Sequence, residues 1–428
     1  MTNNLLINAL SLQNPWWSDP QFSNDDSLRH KRDLFQDFLG RVTGRELITS
    51  LVGLRRVGKS TLIRQTISRL LDSGDDPRSI LYFLFEEQSN QKSTDVLRQI
   101  IEYQISRNPK KKSYLFLDEI QYINGWNSTL KYYFDLYPQL KFVVSGSASL
   151  FIHTQSSESL AGRIQELVLR PMGYGEYLRI SEKQDSPENF QHYLSWGEFP
   201  YLEKLPGWSE KKEYVLDFVL RKVVEYDLPR LKRFYGNDLT NMLNVLISHS
   251  GQNIEIQNLA HDLGLAQNTT REYLSLLEKT HLISQVFNLG IGFRTRSTRM
   301  RKVYASSVNA IVLGSFRGLD SDLWQSGMGN IIETFVYNYL SRQSETININ
   351  FWRERQVKEV DFLQITAESK LPIEVKYQNQ LRESDLDNIL TYCRKERLSQ
   401  ALVVTKYAEA SRTIDNITVV FRPAHLLA

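Results

Sequence analysis

Residues Gly53-Leu54-Arg55-Arg56-Val57-Gly58-Lys59-Ser60 fit the pattern G-x-x-x-x-G-K-[ST] at every fixed position. The two glycines let successive backbone N–H groups curl round a chain of phosphates. Lys59 brings an ammonium to the outer two phosphates, and Ser60, followed by Thr61, offers a hydroxyl to Mg²⁺. The flanks agree with this chemistry. Glu46-Leu47-Ile48-Thr49-Ser50-Leu51-Val52 has the composition of a buried strand, and Leu62, Ile63, Ile67, Leu70 and Leu71 recur at helical spacing. A helix starting where the glycine loop ends adds its positive dipole end to the cradle. The implied ligand is a nucleoside triphosphate with Mg²⁺.

A carboxylate pair follows. Tyr114-Leu115-Phe116-Leu117 is an apolar run that ends in Asp118-Glu119, and ligands of parallel sheets gather at the carboxyl ends of such strands. Asp118 is expected to hold Mg²⁺, directly or through water, and Glu119 to polarise an attacking water. Further apolar runs at 80–85 and 142–144 alternate with helical stretches, which predicts a three-layer α/β domain with a parallel sheet. The extra strand and the glutamate after the aspartate resemble the AAA+ branch of P-loop NTPases. That resemblance implies a γ-phosphate sensor after the fourth strand, Ser145 or Ser147. It also implies an arginine finger at Arg163, in Leu160-Ala161-Gly162-Arg163 before a fifth strand at 164–169, and with it a homo-oligomer. The alternative for Arg163 is a local pair with a carboxylate such as Glu166.

The chain has 428 residues, 41% hydrophobic and 24% charged, with a formal net charge of +3. This is ample for two to four globular domains and too little charge to argue nucleic-acid binding by itself. Its one cysteine, Cys393, excludes an internal disulfide framework and a cysteine zinc site. The start lacks a basic leader, and no run approaches the roughly 18 apolar residues of a membrane span. The expectation is a cytoplasmic protein without a membrane partner. The reading divides it into an irregular N-terminal arm (1–40), an ATPase core (41–175), a helical and winged-helix region (176–315), a glycine-bearing junction at 314–329 and a last domain (320–428).

In the middle region Ile256, Leu259 and Leu263 share a helical face, and Gly264 stops that helix. A second helix beginning near Ala266 turns Tyr273, Leu274 and Leu277 inward. This is a helix-turn-helix outline whose second helix would offer Gln267, Asn268, Thr270 and Arg271 to DNA. Arg294, Arg296, Arg299, Arg301 and Lys302 follow as a basic wing would. The same features would also suit a structural lid.

The last hundred residues hold Glu333 in an amphipathic helix, then Glu359-Val360-Asp361-Phe362-Leu363, then Pro372-Ile373-Glu374-Val375-Lys376. Alternation sends Ile373 and Val375 to the core and Glu374 with Lys376 to the other face. A turn through 367–370 folds Asp361 alongside. Carboxylates that hold Mg²⁺, with a lysine that steadies a water or phosphate, are what metal-assisted phosphodiester cleavage needs. The order D…E-x-K resembles the PD-(D/E)XK nuclease core. Taken together, G-x-R-R-x-G-K-S, L-D-E-I-Q, S-G-S-A-S, L-A-G-R, Trp196-Gly197-Glu198-Phe199-Pro200 and I-E-V-K resemble, in that order, a prokaryotic family of AAA-type ATPases with a C-terminal nuclease-like domain. The resemblance implies ATP hydrolysis at Lys59, Ser60, Asp118 and Glu119, and a nuclease-fold site at Asp361, Glu374 and Lys376. The family's Gly-Gly-Phe-Pro reads Gly197-Glu198-Phe199-Pro200 here.

Overall fold

The computed structural model describes residues 3–19, 29–44, 47–85, 93–109, 111–147, 160–228, 236–289, 300–315, 322–343, 347–354 and 358–427. The chain divides into two units, Met1–Arg170 with Lys222–Phe234, and Pro171–Arg221 with Tyr235–Ala428.

The first unit runs α1 (Asn3–Gln13), α2 (Phe35–Gly44), β1 (Ile48–Gly53), α3 (Lys59–Asp72), β2 (Ile80–Leu84), α4 (Thr94–Arg107), β3 (Ser113–Asp118), α5 (Trp126–Leu136), β4 (Leu140–Ser147) and β5 (Ile164–Val168). The strands form one sheet in the order β2-β3-β4-β1-β5, and every pairing is parallel. β1 and β3 are buried along their whole length, as strands covered on both faces must be. Leu6 and Leu10 of α1 join residues of α4 and α5 and the strands in one core. α2 and α3 pack on β4 and β1.

The N-terminal segment departs from the irregular arm expected of it. α1 and a 3₁₀ turn at Pro15–Trp17 cover β2, the edge strand. The Asn14 amide acts as a fragment of a neighbouring strand: its Nδ2 donates to Tyr82 O at 2.9 Å and its Oδ1 accepts from Tyr82 N at 2.7 Å. The Trp16 and Trp17 indoles both donate to Ile80 O, and Gln13 Oε1 accepts from Leu84 N. An edge that would otherwise offer unpaired backbone groups is closed this way.

The second unit opens with α6 (Tyr174–Ile180), α7 (Pro187–Trp196) and α8 (Trp208–Glu213). It continues with α9 (Gly236–Ser248), β6 (Asn253–Ile254), α10 (Ile256–Leu263), α11 (Gln267–Lys279), β7 (Ile283–Phe287) and β8 (Arg301–Ala305). The three strands pair in the order β6-β8-β7, both pairings antiparallel. Gly264 ends α10 in the left-handed region at φ 65°, so α11 follows after a tight turn.

Then come α12 (Val308–Ser315), α13 (Asp322–Gln343), β9 (Asn348–Glu354), β10 (Lys358–Ile365), β11 (Lys370–Lys376), α14 (Asp387–Glu396), β12 (Gln400–Thr405), β13 (Ala410–Ile414) and β14 (Ile417–Pro423). The expected junction at 314–329 is helical where described, with Gly327 and Gly329 inside α13. These strands make a six-stranded sheet, β13-β14-β12-β11-β10-β9. β11, β12 and β14 run parallel and the remaining pairings are antiparallel. α13 and α14 both pack on β10 and β11. Asn288 and Asn350 stitch β7 to β9, through Asn288 Oδ1 with Arg353 N and Asn350 Nδ2 with Phe287 O, each at 3.1 Å. Among the described residues no helix is long and apolar enough to cross a membrane.

Candidate functional site

The glycine loop lies between β1 and α3, as its sequence requires. Gly53 ends β1 with φ 154°, and a Cβ there would run into the Leu169 carbonyl oxygen, so only glycine lets the two strands lie this close. Gly58 has φ 104° at the N-terminus of α3. The Lys59 side chain is buried and folds back onto its own loop, its ammonium donating to Gly53 O at 3.1 Å and Leu54 O at 3.0 Å. A buried ammonium needs acceptors, and here loop carbonyls supply them where phosphate oxygens would. Ser60 is half-buried and Thr61 exposed in the first turn of α3.

Asp118 is fully buried at the end of β3. One carboxylate oxygen accepts from the Tyr82 hydroxyl at 2.8 Å, and the other accepts from the Ser145 hydroxyl. Ser145 Oγ also accepts from Glu119 N at 3.4 Å. The sheet order explains the meeting: β4 lies between β1 and β3, so Ser145 stands between the phosphate loop and the acidic pair. Burial, then the Asp118 charge, pushes the Tyr82 hydroxyl well above the usual tyrosine range, which keeps it a donor. Glu119 adopts φ 56°, a left-handed conformation that costs a non-glycine residue on the order of 1 kcal/mol or more. Its carboxylate accepts from Gln121 Nε2.

Two loop contacts escaped the sequence reading. Arg32 is buried and donates to Val57 O at 2.6 Å and Arg170 O at 2.8 Å, which fixes the loop to the chain leaving β5. Arg55 donates to the Tyr122 hydroxyl at 3.0 Å, which fixes it to the turn after Glu119. Arg163 forms a two-pronged pair with Asp135, Nε–Oδ1 2.8 Å and Nη2–Oδ2 3.2 Å, and the pair is exposed. Its partner is thus Asp135, where Glu166 had been the named alternative.

On α11, Gln267 and Asn268 are exposed and Arg271 is half-buried with its guanidinium on both. Thr270 departs from expectation: it is fully buried and donates to Ala266 O at 3.1 Å. It precedes Tyr273 by three and Leu274 by four, so it belongs to the inward stripe. Of the expected basic wing, Arg294, Arg296 and Arg299 lie outside the described residues. Arg301 and Lys302 sit in β8 and are buried. Arg301 donates to Gln285 Oε1 and stacks over Phe287.

Lys302 reaches the C-terminal carboxylates. Its ammonium lies 2.6 Å from Glu359 Oε1, 2.8 Å from Glu333 Oε1 and 3.5 Å from Asp361 Oδ1, with the lysine side chain 3% exposed. Tyr304 donates to the same Glu333 oxygen at 2.8 Å. Burial disfavours the lysine charge, and the carboxylates of Asp361, Glu333 and Glu359 more than offset this, holding the proton above the usual lysine range. Asp361 Oδ2 accepts from Val375 N at 2.8 Å, and Lys376 pairs with Glu374 Oε1 at 2.7 Å. Burial, then the Asp361 charge, pushes both Glu333 and Glu374 upward. The alternation in β11 does put Glu374 beside Lys376, but that face is covered: Glu374 is buried and Val375 only half-buried. A register shift between Val360 and Leu363 turns both into one core and leaves Phe362 against Tyr304 and Tyr337.

The two sites answer differently to Mg²⁺. At the glycine loop the donors suit it, with a hydroxyl at Ser60 and a carboxylate at Asp118 whose lone pairs exceed its two present bonds. The C-terminal cluster does not fit, because an ammonium already occupies the oxygens of Glu333 and Asp361, and Glu374 is engaged with Lys376. Among the described residues no group of three or more His, Cys, Asp or Glu is arranged to hold a metal ion.

Residues 45–178 match a family described as an AAA domain. Residues 187–308 and 328–424 match two families described as domains of unknown function, DUF8612 and DUF4143. An uncharacterized protein of Haemophilus influenzae is 23% identical over 398 residues, spanning 88% of this chain and 93% of that protein. The uncharacterized protein MJ1544 of Methanocaldococcus jannaschii is 25% identical over 354 residues, spanning 77% and 75%. The structure of AMPPCP-bound DnaA from Aquifex aeolicus aligns at 14% identity over 61% of this chain and 92% of that one, with a TM-score of 0.31. The AAA match falls on the five-stranded parallel sheet that carries the glycine loop, and the first unit is an α/β fold of the P-loop NTPase kind.

Proposed function

We propose that this chain binds and hydrolyses ATP with Mg²⁺ at the 53–61 loop and engages DNA through a winged helix built from α10, α11 and the β6-β8-β7 sheet. Its C-terminal domain is a nuclease fold of the PD-(D/E)XK kind. The observation that carries the ATPase reading is Lys59, buried in a glycine loop with its ammonium on two loop carbonyls, one strand away from the Asp118–Ser145 pair. Triphosphate oxygens would replace those carbonyls, and the loop's backbone N–H groups would hold the inner phosphates. Bound between Ser60 and Asp118, Mg²⁺ would neutralise charge on the outer phosphates. Tyr82 and Ser145 keep Asp118 in place as donors to its two oxygens. Ser145 stands where a terminal phosphate would compete for its hydroxyl, which suits a γ-phosphate sensor. Glu119 would release Gln121 and take the proton of the attacking water.

The lysine within the C-terminal carboxylates favours a switch over a cutting engine: nucleotide turnover changes how the protein holds DNA, and the nuclease-fold domain is silent in this conformation. ATPase rate with and without duplex DNA, on wild type and Lys59→Ala, tests the union of both ends. DNA should raise the wild-type rate and leave the variant inert. A wild-type rate indifferent to every DNA form, together with equal DNA retention by wild type and Gln267→Glu/Arg271→Glu, would remove the DNA half.

A further inference from the structure

We propose that Lys302 is an internal counter-ion that stands in the place of a divalent metal among Glu333, Glu359 and Asp361 and closes this cluster to metal. The inference rests on reading the six-stranded sheet as a nuclease fold, and it concerns metal uptake, not cleavage. Three observations carry it. The ammonium is 2.6 to 3.5 Å from an oxygen of each carboxylate, a spacing suited to N–H donors and too long for Mg²⁺, which requires about 2.0–2.1 Å. The lysine comes from β8 of the three-stranded sheet, whereas the carboxylates belong to α13 and β10, so the plug and the site are separate parts of the fold. Glu374 Oε2 is buried without a hydrogen-bond partner, beside an Asp361 whose other oxygen is taken by Val375 N. This leaves an unfilled acceptor beside the cation-filled cluster.

Two cations cannot share these oxygens. Within a few ångströms in a partly dry interior their charges repel strongly, so the ammonium must leave before a metal enters. Phe351, whose ring centre lies 5.6 Å from the ammonium, and the Asn288 and Asn350 bonds between β7 and β9 hold β8 against this edge. An ordinary structural ion pair would share the short distances. It would not create metal affinity once the lysine is removed.

The experiment is a Mn²⁺ titration of the full chain without nucleotide, read by electron paramagnetic resonance and by thermal melting. Lys302→Met removes the charge and keeps the stem. It should be less stable than wild type, gain one Mn²⁺ site absent from wild type, and recover melting temperature as Mn²⁺ rises, since a ligand that binds only the folded state stabilises it by mass action. Adding Asp361→Asn to Lys302→Met should weaken that site by at least about tenfold. A destabilised Lys302→Met with no Mn²⁺ site and no rescue overturns the proposal. Should Lys302→Met fail to fold even with Mn²⁺, wild type against Asp361→Asn decides: equal Mn²⁺ uptake supports closure, and greater uptake by wild type overturns it. DNA nicking is a separate readout, so a Lys302→Met protein that takes Mn²⁺ and cuts nothing upholds the plug while it removes the nuclease reading.

Discussion

Replacing Arg32 should disable the phosphate loop from outside it. The guanidinium donates to Val57 O within the loop and to Arg170 O beyond β5, and it is 8% exposed. Hydrogen bonds from a charged donor contribute about 1.5–3 kcal/mol each, so Arg32→Ala removes about 3–6 kcal/mol of loop anchoring. ATP binds only the ordered loop, and its apparent affinity falls with the fraction of molecules that are ordered. If half of the lower figure comes out of the binding-competent state, affinity drops about tenfold; if all of it does, about 100-fold. Arg32→Lys reaches one carbonyl and should lie between. Titration with a fluorescent ATP analogue, alongside circular dichroism to confirm the fold, gives the values. Arg32→Ala within about twofold of wild type in both affinity and melting temperature would refute the anchoring role.

Two further outcomes follow from contacts elsewhere. Glu198 is wholly buried and accepts from Ser307 Oγ and Asn309 N, and burial pushes its carboxyl above the usual glutamate range. The folded state therefore binds this proton more tightly than the unfolded chain, and the stability it contributes should fall as pH rises above the unfolded value. Glu198→Gln should flatten that fall in denaturation measured from about pH 5 to 8, and equal slopes for the two proteins would contradict it. Arg163→Ala should abolish turnover with ATP affinity and melting temperature retained if its pair with Asp135 opens in an assembly; lost affinity with turnover per bound nucleotide unchanged would exclude a finger.

What was legible in the sequence is what is local. The strand, glycine loop and helix at 48–72 follow from seven or eight adjacent residues, and the Asp118–Glu119 pair from the run before it. Gly264 ends α10 for the same reason. What was hidden depends on long-range partners. Asn14 looks like a loop residue until Tyr82 is set beside it, 68 positions away. Lys302 reads as part of a basic wing because its sequence neighbours are arginines, while its acids come from 31 and 59 residues downstream. Thr270 was legible and misjudged, since its spacing from Tyr273 and Leu274 already placed it inside. Alternation paired Glu374 with Lys376 correctly, yet it cannot reveal that Glu374 is buried on that face. A two-residue period reports which side chains share a face and says nothing of what lies over it.

Hydrolysis of radiolabelled ATP by wild type, Lys59→Ala and Glu119→Gln tests the central claim most directly. Wild type should bind and turn over ATP with Mg²⁺, Glu119→Gln should bind it and stall, and Lys59→Ala should do neither. Absence of any nucleotide uptake by wild type at concentrations up to about 1 mM, the upper end of ordinary substrate affinities, would contradict the account.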